Sequence, residues 1–139
     1  MIILDTNVVS ELMRSVVSPD VLKWVSKYSA DELYCNAIVV AEILYGIELL
    51  PDGKRKDELL AGAERLFKIV LASRILPFDE QAARQFSSIA ASRRKAGRPI
   101  AEFDAQIAAT AHVHGAVLAT RNTGDFEHCG IRLVNPWVD

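Results

Sequence analysis

The chain has 139 residues, half of them hydrophobic and 24% charged, which suits one domain with a core of its own and excludes a disordered or fibrous chain. It carries 16 basic and 18 acidic residues, a net charge of -2, so it lacks the overall basic excess usual in a nucleic-acid binder, although acids gathered at a metal site can offset basic residues elsewhere. No apolar run approaches the roughly 20 residues that cross a membrane, and no basic segment precedes the apolar N-terminus, so neither a membrane span nor a signal peptide is expected. The two cysteines, Cys35 and Cys129, fit no metal or disulfide spacing, and a reducing, cytoplasmic setting is the simplest inference.

Ile2, Ile3 and Leu4 read as a strand buried on both faces, because nothing polar alternates with them. Asp5 then sits where the strand leaves the sheet. Val8 to Met13 is helical in pattern and contains Glu11. Ser18-Pro19-Asp20 is a helix start, with Ser as N-cap and Pro at the first position. Leu33-Tyr34-Cys35 is a second short strand, Asn36 follows it, and a helix runs from about Ala37 to Leu50. After the turn Pro51-Asp52-Gly53, the spacing of Leu59, Leu60, Ala63, Leu66, Phe67 and Val70 predicts one apolar helical stripe. Ile75-Leu76-Pro77 reads as a strand. Asp79 caps a helix with Ala82, Ala83, Phe86, Ile89 and Ala90 on its buried face, and that helix ends in the basic run Arg93-Arg94-Lys95. Another helix spans about Ala101 to His114 and stops at Gly115. Ala116 to Thr120 is a strand, Arg121 to Glu127 a polar loop, and Ile131 to Val134 the last strand. This alternation predicts a three-layer α/β/α fold with a mainly parallel sheet, in a single domain over residues 1–139.

Four acids fall where a core does not explain them. Asp5 lies beyond the carboxyl end of the first strand, where open α/β sheets bind ligands, although capping the next helix accounts for it equally well. Glu42 shares its side of a helix with Val39, Ile43 and Gly46, and Asp104 shares its side with Ile107, Ala108 and Ala111. A buried ion pair or a capping role would explain either of them. Asp125 follows Gly124, a common turn pair, and Asn122 stands in the same loop. Thr6 and Thr120 each stand at a strand end, so two neighbouring strands would bring Asp5, Thr120 and the 121–125 loop to one rim. Acids gathered there need a counter-charge. Oxygen ligands of this kind suit Mg²⁺ or Mn²⁺ rather than zinc, and phosphodiester hydrolysis is the reaction class that follows. His112, His114, His128 and Cys129 read as structural or surface residues.

These residues resemble a known family, the PIN-domain ribonucleases, and among them the VapC/FitB-like toxins of type II toxin–antitoxin systems. The matching pieces are Leu4-Asp5-Thr6-Asn7, Val39-Val40-Ala41-Glu42-Ile43-Leu44-Tyr45-Gly46, Ile100 to Ala108 around Asp104, Leu118 to Phe126 with Asp125, and the ending Asn135-Pro136-Trp137. Together they span essentially the whole chain. The resemblance implies a Mg²⁺-dependent endoribonuclease whose metal is held by Asp5, Glu42, Asp104 and Asp125. Thr6, Asn7, Thr120 and Asn122 would support them, with Asn122 able to share the part of Asp125. It also implies a homodimer inhibited by a DNA-binding antitoxin. Leu12, Met13 and Leu50 are the apolar residues that the sequence leaves exposed for that dimer. Two alternatives remain: a non-catalytic RNA- or protein-binding module, and a haloacid-dehalogenase-like phosphotransferase using Asp5, which would need an Asp where Asn7 stands.

RNA must be led to an acidic rim by something positive. Arg93, Arg94, Lys95 and Arg98 form the densest basic group and lie just before the helix carrying Asp104, so they are expected to contact the RNA backbone. A solvated helix end whose cations complement the dipole is the commoner meaning of such a run.

Overall fold

A computed structural model of residues 1–139 contains a five-stranded, all-parallel sheet in the order β3-β2-β1-β4-β5. Its strands are β1 (Ile2–Leu4), β2 (Leu33–Asn36), β3 (Ile75–Leu76), β4 (Val117–Ala119) and β5 (Arg132–Val134). The helices are α1 (Thr6–Leu12), α2 (Pro19–Val25), α3 (Ala37–Glu48), α4 (Lys54–Arg65), α5 (Glu80–Lys95) and α6 (Glu102–Val113). The chain winds outward from β1 through β2 to β3, then crosses back to β4 and β5. Right-handed crossovers in opposite directions put helices on both faces of the sheet, which gives the three-layer α/β/α arrangement.

The expected strands all form. Ile3, Leu4, Cys35, Leu118 and Ala119 are almost wholly buried, because strands covered on both faces must be apolar throughout. The helix starts follow their capping residues: the Asn36 side chain accepts from the Val39 N–H and Asp79 from the Ala82 N–H. Ser18 precedes Pro19 as expected, but its hydroxyl makes no capping bond.

Some boundaries and faces differ from expectation. The first helix begins at Thr6, so Asp5 itself is its N-cap. The third ends at Glu48, and Leu49 is exposed. The stripe on α4 breaks near its end, where Leu66–Val70 form a π-helical turn. That turn shifts the phase of the side chains and leaves Ile69 and Val70 in solvent, while Ala63 and Phe67 reach the core. Leu12 and Met13 are not free either. Both pack partly buried against the core, and the exposed large apolar residues are others, including Val16, Tyr45, Leu49 and Ile69. No helix is long and apolar enough to cross a membrane.

Candidate functional site

Strand order reverses direction between β1 and β4, which pair in parallel with Leu4 opposite Ala119. Asp5 and Thr120 therefore leave the sheet side by side, at the switch point where open α/β sheets form their ligand crevice. The backbone of Asp5 is tied there by its N–H donating to the Ala119 carbonyl at 2.9 Å. Its two carboxylate oxygens have separate duties. Oδ1 accepts from the Thr6 N–H at 2.8 Å and caps α1. Oδ2 accepts from the Thr120 hydroxyl at 2.7 Å and from the Asn7 side-chain amide at 3.2 Å. Asn7 also donates to Thr120 Oγ1 at 3.2 Å, and its own oxygen accepts from the Arg121 N–H at 3.1 Å. Asn122 enters through its backbone, donating to Thr120 Oγ1 at 3.1 Å.

Glu42 comes from α3 and is joined to this group by Thr6, whose hydroxyl donates to Glu42 Oε1 at 2.8 Å. Asp104 comes from the first turn of α6. Asp125 stands in a 3-10 turn, Thr123–Phe126, and is itself exposed. The acids feel one another. Burial pushes the Asp104 carboxyl up to about 6, and the charges of Asp5, Glu42 and Asp125 push the same way. Burial raises Asp5 as well, against the hydrogen bonds from Thr120, Thr6 and Asn7, with the Asp125 charge adding to the rise. Burial raises Glu42, opposed by the Thr6 hydrogen bond and helped by the charge of Asp5. Every ion pair in the chain lies elsewhere: Arg14–Glu11, Lys54–Glu58, Lys56 with Glu48 and Asp52, Lys68–Glu64 and Arg84–Glu80. The buried-pair explanation for Glu42 and Asp104 therefore finds no basic partner.

No three of the His, Cys, Asp and Glu side chains stand closely enough to enclose a cation by themselves. Mg²⁺ does not require such a cage, because it keeps several waters and binds through one or two carboxylates together with substrate phosphate. The donors here are carboxylate, hydroxyl and amide oxygens without a histidine or thiolate, a set that suits Mg²⁺ or Mn²⁺ and not zinc. Their unmet mutual repulsion is what a divalent cation would cancel.

Arg93 does not face RNA. It is buried, with 8% of its surface exposed. Its Nε donates to the Arg98 carbonyl at 2.7 Å, and its guanidinium NH1 donates to the carbonyls of Asp125 and Glu127 at 3.0 and 2.8 Å. It also reaches Cys129 Sγ at 3.5 Å. Arg93 therefore ties the end of α5 to the loop that carries Asp125, and the expectation that it contacts the RNA backbone is corrected. A guanidinium's fork of donors suits a set of carbonyls converging on one point, and only the folded loop reveals that set. Arg94, Lys95 and Arg98 are exposed.

Three further residues support the site. Asn36 is wholly buried; besides capping α3, its amide donates to Thr110 Oγ1 of α6 at 3.2 Å, joining the helices that carry Glu42 and Asp104. A polar residue between a strand and a helix was the available signal for it. Arg14 and Arg55 line a cleft of about 440 Å³ whose inner wall includes Thr6 and Glu42. They lie far apart in sequence, so no run of charge announced them.

Residues 2–130 match the family model of the PIN domain. The chain is similar to Toxin FitB of Neisseria gonorrhoeae, at 40% identity over 139 residues that cover 100% of both proteins. It is also similar to VapC ribonuclease Y4jK of Sinorhizobium fredii, at 41% identity over 137 residues, 99% of this chain and 98% of that one. Among solved structures it resembles FitAcB from Neisseria gonorrhoeae, with a TM-score of 0.89 at 40% identity and 100% coverage of each chain. It likewise resembles DNA-bound VapBC from Salmonella typhimurium, with a TM-score of 0.83 at 26% identity and 97% coverage of each.

Proposed function

Because the chain belongs to the PIN-domain family, with relatives among the VapC and FitB toxins over its whole length, we propose that it is a Mg²⁺-dependent endoribonuclease and the toxin of a toxin–antitoxin pair. The observation that carries this reading is Asp104: a carboxyl pushed up to about 6 by burial and by Asp5, Glu42 and Asp125, with no basic residue paired to any of the four. A structural ion network would have included its cations.

Asp5, Glu42, Asp104 and Asp125 are the residues that would hold the metal. A bound Mg²⁺ supplies neutralisation of phosphate charge and a more acidic water. Thr120 and Asn7 fix Asp5 from one side, and the Thr6 backbone fixes it from the other. Thr6 also fixes Glu42, so two acids from different elements are aligned by one residue. Such preset geometry removes reorganisation from the reaction step. Arg94, Lys95 and Arg98 remain the proposed contacts for RNA phosphates, joined by Arg14 and Arg55 in the cleft beside Glu42. The phosphotransferase alternative finds no general acid at Asn7, which serves as a hydrogen-bond donor to Asp5.

The solved relatives include a FitAB complex bound to DNA and DNA-bound VapBC. By that likeness, this chain pairs with an antitoxin in a complex that binds DNA; the family resemblance implies in addition a homodimer and an antitoxin that covers the acids. The test is an RNA-cleavage assay on purified protein in Mg²⁺ and in excess chelator. Cleavage that needs the metal and stops when antitoxin is added supports the reading. RNA bound without cleavage in either condition would favour the non-catalytic module.

A further inference from the structure

Phe103 stands apart from the other phenylalanines. Phe67 and Phe126 are buried, and Phe78 and Phe86 meet edge to face with centroids 6.3 Å apart. Phe103 is 48% exposed. It lies beside Asp104 in the first turn of α6 and lines an open cavity of about 510 Å³ with Glu42, Ala101, Glu102 and Asp104. The cavity thus brings Phe103 together with two of the proposed metal ligands, Glu42 from α3 and Asp104 from α6. Phe103 is also absent from the partly buried apolar residues that pack against the core, so its ring face is free to meet a flat partner.

We propose that Phe103 is a stacking platform for a nucleobase of single-stranded RNA, seated next to the phosphate that the acids engage. This inference rests on the ribonuclease reading and names the substrate contact it lacks. The chemistry of the cavity selects the occupant. Glu42, Glu102 and Asp104 line it with carboxylate oxygens, which accept from the exocyclic N–H groups of a base. A base is uncharged and offers a π-face to the ring and N–H donors to a carboxylate. Its own backbone places a phosphate within reach of the acids. Stacking tolerates any base, so the platform would hold the strand without choosing its sequence. A duplex keeps its bases stacked internally and cannot use it.

The experiment measures binding of a short single-stranded RNA oligonucleotide, and of its duplex, to full-length protein carrying Asp5→Asn so that the RNA is not cut. Phe103→Ala and Phe103→Leu should weaken single-strand binding about 5- to 150-fold, the range for one base on one ring. Phe103→Trp should restore it, and the new indole should be quenched by the single strand but not by the duplex. Light scattering on the same variants should show an unchanged mass. Leu binding as tightly as Trp would overturn the proposal, because an apolar contact would then suffice. A loss of dimer in Phe103→Ala would overturn it too, by assigning the ring to a second copy of the chain. RNA that binds equally well with and without the ring refutes the platform and leaves the nuclease standing. Parent protein that neither binds nor cuts RNA refutes both.

Discussion

At the scale of single residues, Thr6 has the most leverage. Its N–H holds Asp5 and its hydroxyl holds Glu42, so a hydroxyl-to-methyl change acts on Glu42 alone. Thr6→Val should lower metal affinity or cleavage by about 10- to 100-fold, the usual effect of losing a residue that orients a ligand, with the fold kept. Metal titration and cleavage rates check this, and full activity in Thr6→Val would remove Thr6 from the site. Asp104 makes a separate prediction about pH. Its folded value, about 6, lies above the ordinary 3.8 because burial and the neighbouring acids disfavour its charge. Across that window the folded chain holds a proton that the unfolded chain has given up, so metal-free stability should fall as pH rises from 3.8 to about 6 and level above it. Asp5 and Glu42 are raised too and steepen the fall. Asp104→Asn should flatten the slope in denaturant melts run with chelator; an unchanged slope would place the proton elsewhere. Glu42 and Asp104 were legible in the sequence as acids set into an apolar helical pattern, whereas Asp125 stood in a polar loop after Gly124 and read as a turn residue by itself. That Asp5 both caps α1 and faces the site was half legible, since either duty alone explained it.

At the scale of elements, capping chemistry is local and reads well, while helix ends that meet distant loops do not. Asn36 and Asp79 start α3 and α5 as their sequence positions foretell. The basic end of α5 looks like a solvated run, yet Arg93 turns inward to the carbonyls of Asp125 and Glu127. Those partners are far along the chain, and no short-range pattern contains them. Arg93→Met should leave both carbonyls without their donor and cost about 1–3 kcal/mol of stability. It should also loosen the loop bearing Asp125 and slow cleavage, while the salt dependence of RNA binding stays as in the parent. Arg94→Ala with Lys95→Ala should do the reverse, flattening the salt dependence at unchanged stability. Denaturant midpoints and binding at several salt concentrations separate the two patterns. If Arg93→Met alone flattened the salt slope, its buried clamp would not be its main role. The π-helical turn Leu66–Val70 was also illegible, because the apolar spacing before it continues without a break.

At the scale of the molecule, the parallel sheet was readable because buried parallel strands are continuously apolar and strands alternate with helices. Strand order was not, since it depends on which edge each crossover chooses. The order found puts β1 beside β4, and that adjacency gathers Asp5, Thr120 and the 121–125 loop. The proposed dimer belongs to this scale as well. Tyr45 and Leu49 lie one turn apart on one side of α3 or its end, at 64% and 67% exposure, and an apolar pair on a helix face is a natural contact for a second copy. Light scattering should give twice the 15.3 kDa of one chain, and Leu49→Glu should return it to a single chain. One chain at every concentration in the parent would count against the dimer.

The central claim is that Asp5, Glu42, Asp104 and Asp125 repel one another until a divalent cation joins them. Calorimetric titration of Mn²⁺ into the parent, Asp5→Asn and Asp104→Asn at neutral pH tests it directly. The account predicts saturable binding in the parent, binding lost or sharply weakened in both variants, and metal-free variants at least as stable as the metal-free parent. Parent protein that takes up no Mn²⁺, or variants that bind it as tightly as the parent does, would contradict it.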